Sequence, residues 1–330
     1  MNYCSRIEMR VKRLNVMGET AVYHCITRTV GGEMLFGERE KEVLRKQIWQ
    51  VSAFCGVEVL TYCIMSNHVH LLVRVRGAES VSDDELVRRY GLLYHREKER
   101  VAVLASVLKD EGEEAEKLRK KLKARMGDVS SFMKELKQRF SIWYNKSHQR
   151  YGTLWAERFK SVLVENTTSA LRTVAAYIDL NPVRAGMVED PKDYRFCGYG
   201  EALAGSKPAE RGIKSVNESK RIESALEGYR MTLFGMGASV SRSSQKAMSA
   251  QKAKRVIEKG GKLPVSTVLR CRVRYMTDGA VLGSREFVSA YFKTHRESFG
   301  KKRKKAYNAM KGSDWGGLVV LRGLRSEIFT

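Results

Sequence analysis

Two histidines stand two residues apart in the apolar run SNHVHLLVRV, residues 66–75. In a strand, residues i and i+2 share a face, so His68 and His70 project side by side while Val69 points the other way. Two imidazoles so placed can chelate one divalent cation. They can equally be two unrelated histidines, each satisfied by a neighbour, and the spacing alone leaves both readings open. A cation would need further nitrogen or oxygen donors, and the best candidates lie in AAYIDLNPVRAG, residues 175–186. Tyr177 and Asn181 are four apart, which puts them on one helix face about 5–6 Å from each other. A tyrosine oxygen can serve as a covalent nucleophile, and an asparagine carbonyl can ligate Mg²⁺ or Mn²⁺. A helical tyrosine is also an ordinary packing residue.

The elements that must position these groups read clearly. ETAVYHCITR (20–29) is β-branched and aromatic, and predicts a strand that Gly31 and Gly32 end. Val43, Leu44, Ile48, Val51 and Phe54 recur at helical spacing over 38–54, and Gly56 stops that helix. Strands follow at 57–65 and 68–75, joined by a turn at Ser66 and Asn67. Residues 79–127 are dense in both charges and predict a solvated helical insertion, two helices turning near Asp110–Glu113. Phe132, Met133, Leu136, Phe140, Trp143 and Tyr144 form one apolar stripe of the next helix, and a fourth strand is expected over 158–164. Thr167 or Thr168 caps a last helix that runs to Leu180, where Pro182 stops it. The order is β-α-β-β-α-β-α. Its first six elements predict an α+β fold, a ferredoxin-like antiparallel sheet with helices on one face.

Sixty-one Lys and Arg against 37 Asp and Glu give a net charge of +24. Such an excess favours a polyanionic partner, because each phosphate contact releases a condensed counterion; a merely solvated basic surface is the other reading. Six cysteines fall at 4, 25, 55, 63, 197 and 271 with no C-x-x-C spacing, which excludes a zinc ribbon and suits a reduced, intracellular chain. No signal segment and no membrane-spanning apolar run is present, so a cytoplasmic location is expected. One domain is expected over 1–200, a polar linker over 201–220, and a basic, mainly helical region over 221–330. Within the last, residues 267–295 are compatible with a helix-turn-helix or with a plain helical subdomain. The basic run GKKRKKAYNAMKG (300–312) reads as a DNA-tracking segment or a solvated helix face.

Taken together, HVH (68–70), YHCITRTVGG (23–32), TYCIMSNHVHLLV (61–73), LKQRFSIWYNK (136–146), GTLWAERFKS (152–161) and YIDLNPVRAGMV (177–188) resemble, in order, the REP-associated tyrosine transposases. These are HUH nucleases related to the single-tyrosine insertion-sequence transposases. The resemblance covers roughly residues 15–200; the insertion and the region after 200 depart from it. It implies a metal-dependent single-strand DNA endonuclease and strand transferase that cuts beside DNA hairpins of repeat elements. By position, His68, His70 and Asn181 would hold Mg²⁺ or Mn²⁺, and Tyr177 would attack and keep the 5′-phosphate as a phosphotyrosine. A bacterial, nucleoid-associated monomer is implied. Arg28, Arg158, Lys160 and Arg184 are candidate DNA contacts or plain surface charge. His24 is read as structural, and Trp155 as a base-stacking residue or a core plug. The alternative to a transposase is a domesticated, non-cleaving regulator that binds repeat hairpins.

Overall fold

The computed structural model describes residues 20–76, 81–233, 275–310 and 315–324, and the backbone alone of 9–11, 234–238 and 326–328. Strand β1 (Met9–Val11) is followed by β2 (Ala21–Arg28), helix α1 (Glu38–Cys55), β3 (Glu58–Ile64) and β4 (His68–Val75). The insertion holds α2 (Asp83–Leu93), α3 (Lys98–Val107) and α4 (Glu113–Lys123). Then come α5 (Val129–Ser147), β5 (Lys160–Val164), α6 (Thr168–Asp179), α7 (Asn181–Arg184), α8 (Gly198–Leu203), α9 (Lys207–Asn217) and α10 (Ile222–Ala238). The last described part carries α11 (Tyr275–Asp278), β6 (Val281–Gly283), α12 (Arg285–Thr294), β7 (Asn308–Ala309), β8 (Val319–Leu321) and β9 (Ser326–Ile328).

The main sheet has the order β3-β4-β2-β5-β6-β8-β7, and β1 pairs separately with β9. Its first four strands are mutually antiparallel, with the first strand of the unit between the third and the fourth. That is the expected ferredoxin-like arrangement. Residues opposite each other across an antiparallel pair share a face, so the register sorts the side chains. His24, Ile26 and Arg28 of β2 lie opposite Leu72, His70 and His68 of β4, and Thr61 and Cys63 of β3 lie opposite Leu72 and His70.

The other face is covered by α1 and α5. Trp49 of α1 meets Tyr62 of β3 edge-on at 5.8 Å, and the two helices pack on each other. The histidine face is covered by α6: Asp179 accepts a 3.0 Å hydrogen bond from Thr61 Oγ1. Two covered faces explain why β2, β3 and β4 are buried almost end to end and read as continuous apolar runs rather than as alternation. Trp155 is a core plug: it packs on Phe36 and Phe140, and its indole N–H donates to the Lys137 carbonyl. Cys25, Cys55, Cys63 and Cys197 are buried.

Four expectations need revision. The insertion has three helices rather than two, because the chain breaks between Tyr94 and Glu97, where Arg100 stacks on Tyr94 at 4.0 Å and donates to the Tyr90 hydroxyl. The expected turn near 110–113 is present, and Arg119 ties it down through Asp83 and the carbonyls of Leu108 and Asp110. The polar stretch 201–220 is not a linker but mostly helical. Ala209, Ile213 and Val216 of α9 are buried, and α9 lies so close to the bulge in β3 that a Cβ at Gly212 would sit 2.3 Å from the Leu60 carbonyl oxygen. Residues 278–284, expected as the turn of a helix-turn-helix, contain β6, which pairs parallel with β5 and antiparallel with β8; residues 267–274 of that segment lie outside the described ones. Within the basic run, residues 300–310 form a turn and a short strand rather than a helix face.

Candidate active site

The register alone brings a third histidine to the H-x-H pair. His24 lies one residue pair along from Ile26 and His70, on the same face. Its Nε2 is 2.9 Å from His70 Nδ1, and its Nδ1 is 2.7 Å from the Met276 carbonyl oxygen. The His24 and His70 rings stack at 5.1 Å, and His68 and His70 meet edge-on at 5.0 Å. Asn67, in the turn before β4, has its Oδ1 2.7 Å from His68 Nδ1 and donates its Nδ2 to the Gly32 carbonyl at 2.8 Å. The glycine pair at 31–32, both at positive φ, lets the chain fold back to present that carbonyl.

Helix α6 closes over this cluster and delivers Tyr177, whose ring lies 6.0 Å from those of both His24 and His70. The turn of chain after Tyr177 is organised around its own carbonyl. Asn181 Nδ2 donates to the carbonyls of Tyr177 and Ile178, and Arg184 Nη2 donates to that of Tyr177 at 2.7 Å. The Arg184 guanidinium lies over the Tyr177 ring, 3.9 Å from its centroid. Among the described residues no hydrogen bond is made to the Tyr177 hydroxyl or to Asn181 Oδ1. Pro182 falls in the first turn of α7, where its missing N–H costs nothing.

Electrostatics follow from burial. Burial pulls His24 and His68 down to about 4, with Arg184 adding to the effect on both, and pulls His70 well below its usual value. All three are therefore neutral at physiological pH, the form in which an imidazole ligates a metal. Burial raises the Tyr177 phenol, and Arg184 partly offsets this. Among the described residues no group of three or more His, Cys, Asp or Glu is arranged around one metal position. The donors in the cluster are the neutral imidazoles of His68 and His70, which meet at 5.0 Å, with the Tyr177 phenol ring 6.0 Å from His70 and the Asn181 amide one turn further along.

The expected site residues are distributed unevenly. His68, His70, Tyr177 and Arg184 share one cluster, and Asn181 lies within one turn of Tyr177. Arg28 is opposite His68 at the exposed end of β2. Arg158 and Lys160 are exposed on the approach to β5, with Lys160 paired to Glu157 at 3.2 Å. His24, read as structural from the sequence, is a full member of the cluster. At the other end of α6 a polar cleft of about 490 Å³ is lined by Arg74, Arg76, Asn166, Lys214 and Lys220 among others. Nothing in the sequence pattern joins those five, since three separate segments supply them.

Residues 19–94 match the family described as IS200-like transposases, in agreement with the resemblance carried by the motifs. A solved structure titled as the REP-associated tyrosine transposase bound to a REP hairpin aligns at 17% identity. The alignment covers 61% of this chain and 88% of that one, with a TM-score of 0.39. No curated protein matches. Among the described residues no helix is long and apolar enough to cross a membrane.

Proposed function

From the IS200-like segment at residues 19–94, we propose that this protein is a tyrosine transposase that nicks and rejoins single-stranded DNA beside repeat hairpins. The observation that carries the reading is the placement of Tyr177. A phenol with no hydrogen-bond partner among the described residues stands against His24 and His70, 6.0 Å from both ring centres, and His70 belongs to the H-x-H pair.

His68 and His70 would hold Mg²⁺ or Mn²⁺, with Asn181 Oδ1 as a third donor. When bound, the cation supplies positive charge to a non-bridging phosphate oxygen and orients the phosphorus. The chain's own groups do the rest. The Tyr177 oxygen forms a bond to phosphorus and loses its proton as the bond to the 3′-oxygen breaks and that oxygen leaves as a hydroxyl. A 3′-hydroxyl then attacks the phosphotyrosine, reforms a phosphodiester and returns the proton to Tyr177. Bond energy is conserved, so no nucleotide is consumed. Arg184 positions the nucleophile: stacked on its ring and bonded to its carbonyl, it holds the phenol in place and favours the developing phenolate. Arg28, Arg158 and Lys160, all exposed, would serve as phosphate contacts for the incoming strand.

The test is to incubate the protein with hairpins from the flanks of its own gene, with Mn²⁺ or Mg²⁺, and resolve the products on a denaturing protein gel. Labelled DNA that stays attached, and is lost in Tyr177→Phe and with chelator, is the expected result. Binding without attachment would identify a domesticated regulator. Cleavage that survives Tyr177→Phe would make water the nucleophile.

A further inference from the structure

Two hydrogen-bond relays run from backbone carbonyls to the H-x-H pair, and each fixes which nitrogen carries the proton. A peptide carbonyl can only accept. His24 Nδ1, 2.7 Å from the Met276 carbonyl oxygen, must therefore be protonated. A neutral imidazole carries one proton, so His24 Nε2 is an acceptor, and the atom facing it at 2.9 Å, His70 Nδ1, must donate. His70 Nε2 is left as a bare lone pair. The second relay has the same logic. Asn67 Nδ2 donates to the Gly32 carbonyl, which fixes the orientation of the amide and turns Oδ1 toward His68 Nδ1. His68 Nδ1 must donate, and His68 Nε2 is bare as well.

We propose that His24 and Asn67 are positioning residues that hold His70 and His68 in the Nδ1–H tautomer, so that both Nε2 atoms face a divalent cation, and that the C-terminal region takes part in this by supplying the Met276 carbonyl. The proposal deepens the metal reading above and rests on it. It gives α11 a task that no sequence motif announces. A parallel pairing with β5 brings in the short strand β6 directly after α11, and α11 contacts β2 and β5. The carbonyl that orients a histidine near the N-terminus is thereby delivered from 252 residues away.

The experiment has two arms. In the first, the metal-free wild-type protein is labelled with ¹⁵N-histidine, and long-range nitrogen–proton correlations report each tautomer, with His68→Ala and His70→Ala used for assignment. His24, His68 and His70 are all expected as Nδ1–H. An Nε2–H tautomer at His70 or His68 overturns the proposal, and this arm needs no variant of His24 to fold. In the second arm, Mn²⁺ affinity is measured by the loss of the free-ion electron paramagnetic resonance signal. His24→Leu and Asn67→Leu should each weaken Mn²⁺ binding by about 10–100-fold. His24→Gln, whose side-chain oxygen can accept from His70 Nδ1, should restore most of that loss. A folded His24→Leu protein with wild-type affinity overturns the proposal. Wild-type protein that binds no Mn²⁺ overturns the metal reading itself, while the tautomers still decide on the relays.

Discussion

Asp179 stands two residues after Tyr177 and anchors the end of α6 to three other elements. Its fully buried carboxylate accepts from Thr61 Oγ1 of β3, from the Tyr199 amide of α8 and from the Tyr229 hydroxyl of α10. Burial pushes its pKa up from 3.8 to about 6, against the downward pull of those hydrogen bonds. The folded chain therefore holds this proton more tightly than the unfolded chain does. Between about pH 4 and pH 6 the folded state binds more protons, so this group's contribution to stability falls as pH rises. The full swing is about 3 kcal/mol, of which about 1.4 kcal/mol lies between pH 7.5 and pH 5. The wild-type curve will not reveal it directly, because His24 and His68, pulled down to about 4, work in the opposite sense and lose stability as pH falls through the same range. The difference between wild type and Asp179→Asn isolates it. The replacement is tolerable, since the Thr61 and Tyr229 hydroxyls can rotate to accept from the new amide. Urea unfolding, followed by circular dichroism in the presence of chelator, should show wild type gaining about 1.4 kcal/mol on the variant between pH 7.5 and pH 5. A gap that is constant with pH, or that moves the other way, would refute the assignment of a raised pKa to a structurally tolerated buried acid.

Three further outcomes are expected. Gly212→Ala puts a methyl group into the backbone of the β3 bulge, 2.3 Å from the Leu60 oxygen, and should cost about 1–3 kcal/mol in chemical denaturation; an unchanged midpoint would mean that α9 shifts freely. Arg184→Lys keeps the charge but loses the planar stack over Tyr177 and should slow covalent attachment to hairpin DNA by about tenfold, worth roughly 1.4 kcal/mol, with hairpin affinity nearly unchanged; equal loss in both would make Arg184 a DNA contact instead. Lys214→Glu with Lys220→Glu reverses two charges in the polar cleft and, if a DNA strand crosses it, should weaken binding and flatten the salt dependence of log K by about 2 in slope; an unaltered slope would remove the cleft from the DNA path.

The parts of the site that were legible in the sequence are the local ones. H-x-H on an apolar strand, Tyr177 and Asn181 one helical turn apart, and the glycine pair before the first helix each declare themselves within a few residues. The β-α-β-β-α-β core follows from periodicity, because each element's apolar pattern matches its own geometry. What could not be read is whatever depends on register and on long-range pairing. His24 is two strand positions from Ile26, and only the antiparallel alignment that sets Ile26 opposite His70 turns it into a neighbour of the H-x-H pair. A shift of one residue would have sent its ring to the opposite face.

The same asymmetry separates the two relays that end on the H-x-H pair. The one to His68 runs through Asn67 and Gly32, both in turns flanking the strands, and its pieces are all present in the motif stretches. The one to His70 runs through His24 to a main-chain carbonyl, and a carbonyl carries no residue identity that a sequence pattern could record. Met276 is named only by its position; any residue there would offer the same oxygen. What selects it is the docking of β6 on the free edge of β5, a pairing of two short apolar strands without a signature of their own. Because that edge pairing also brings the Met276 carbonyl to the ring of His24, loosening the C-terminal strands should reach the H-x-H pair through one hydrogen bond. The region beyond residue 200, for which the family pattern implies no role, is thus tied by geometry to the residues for which it implies the most.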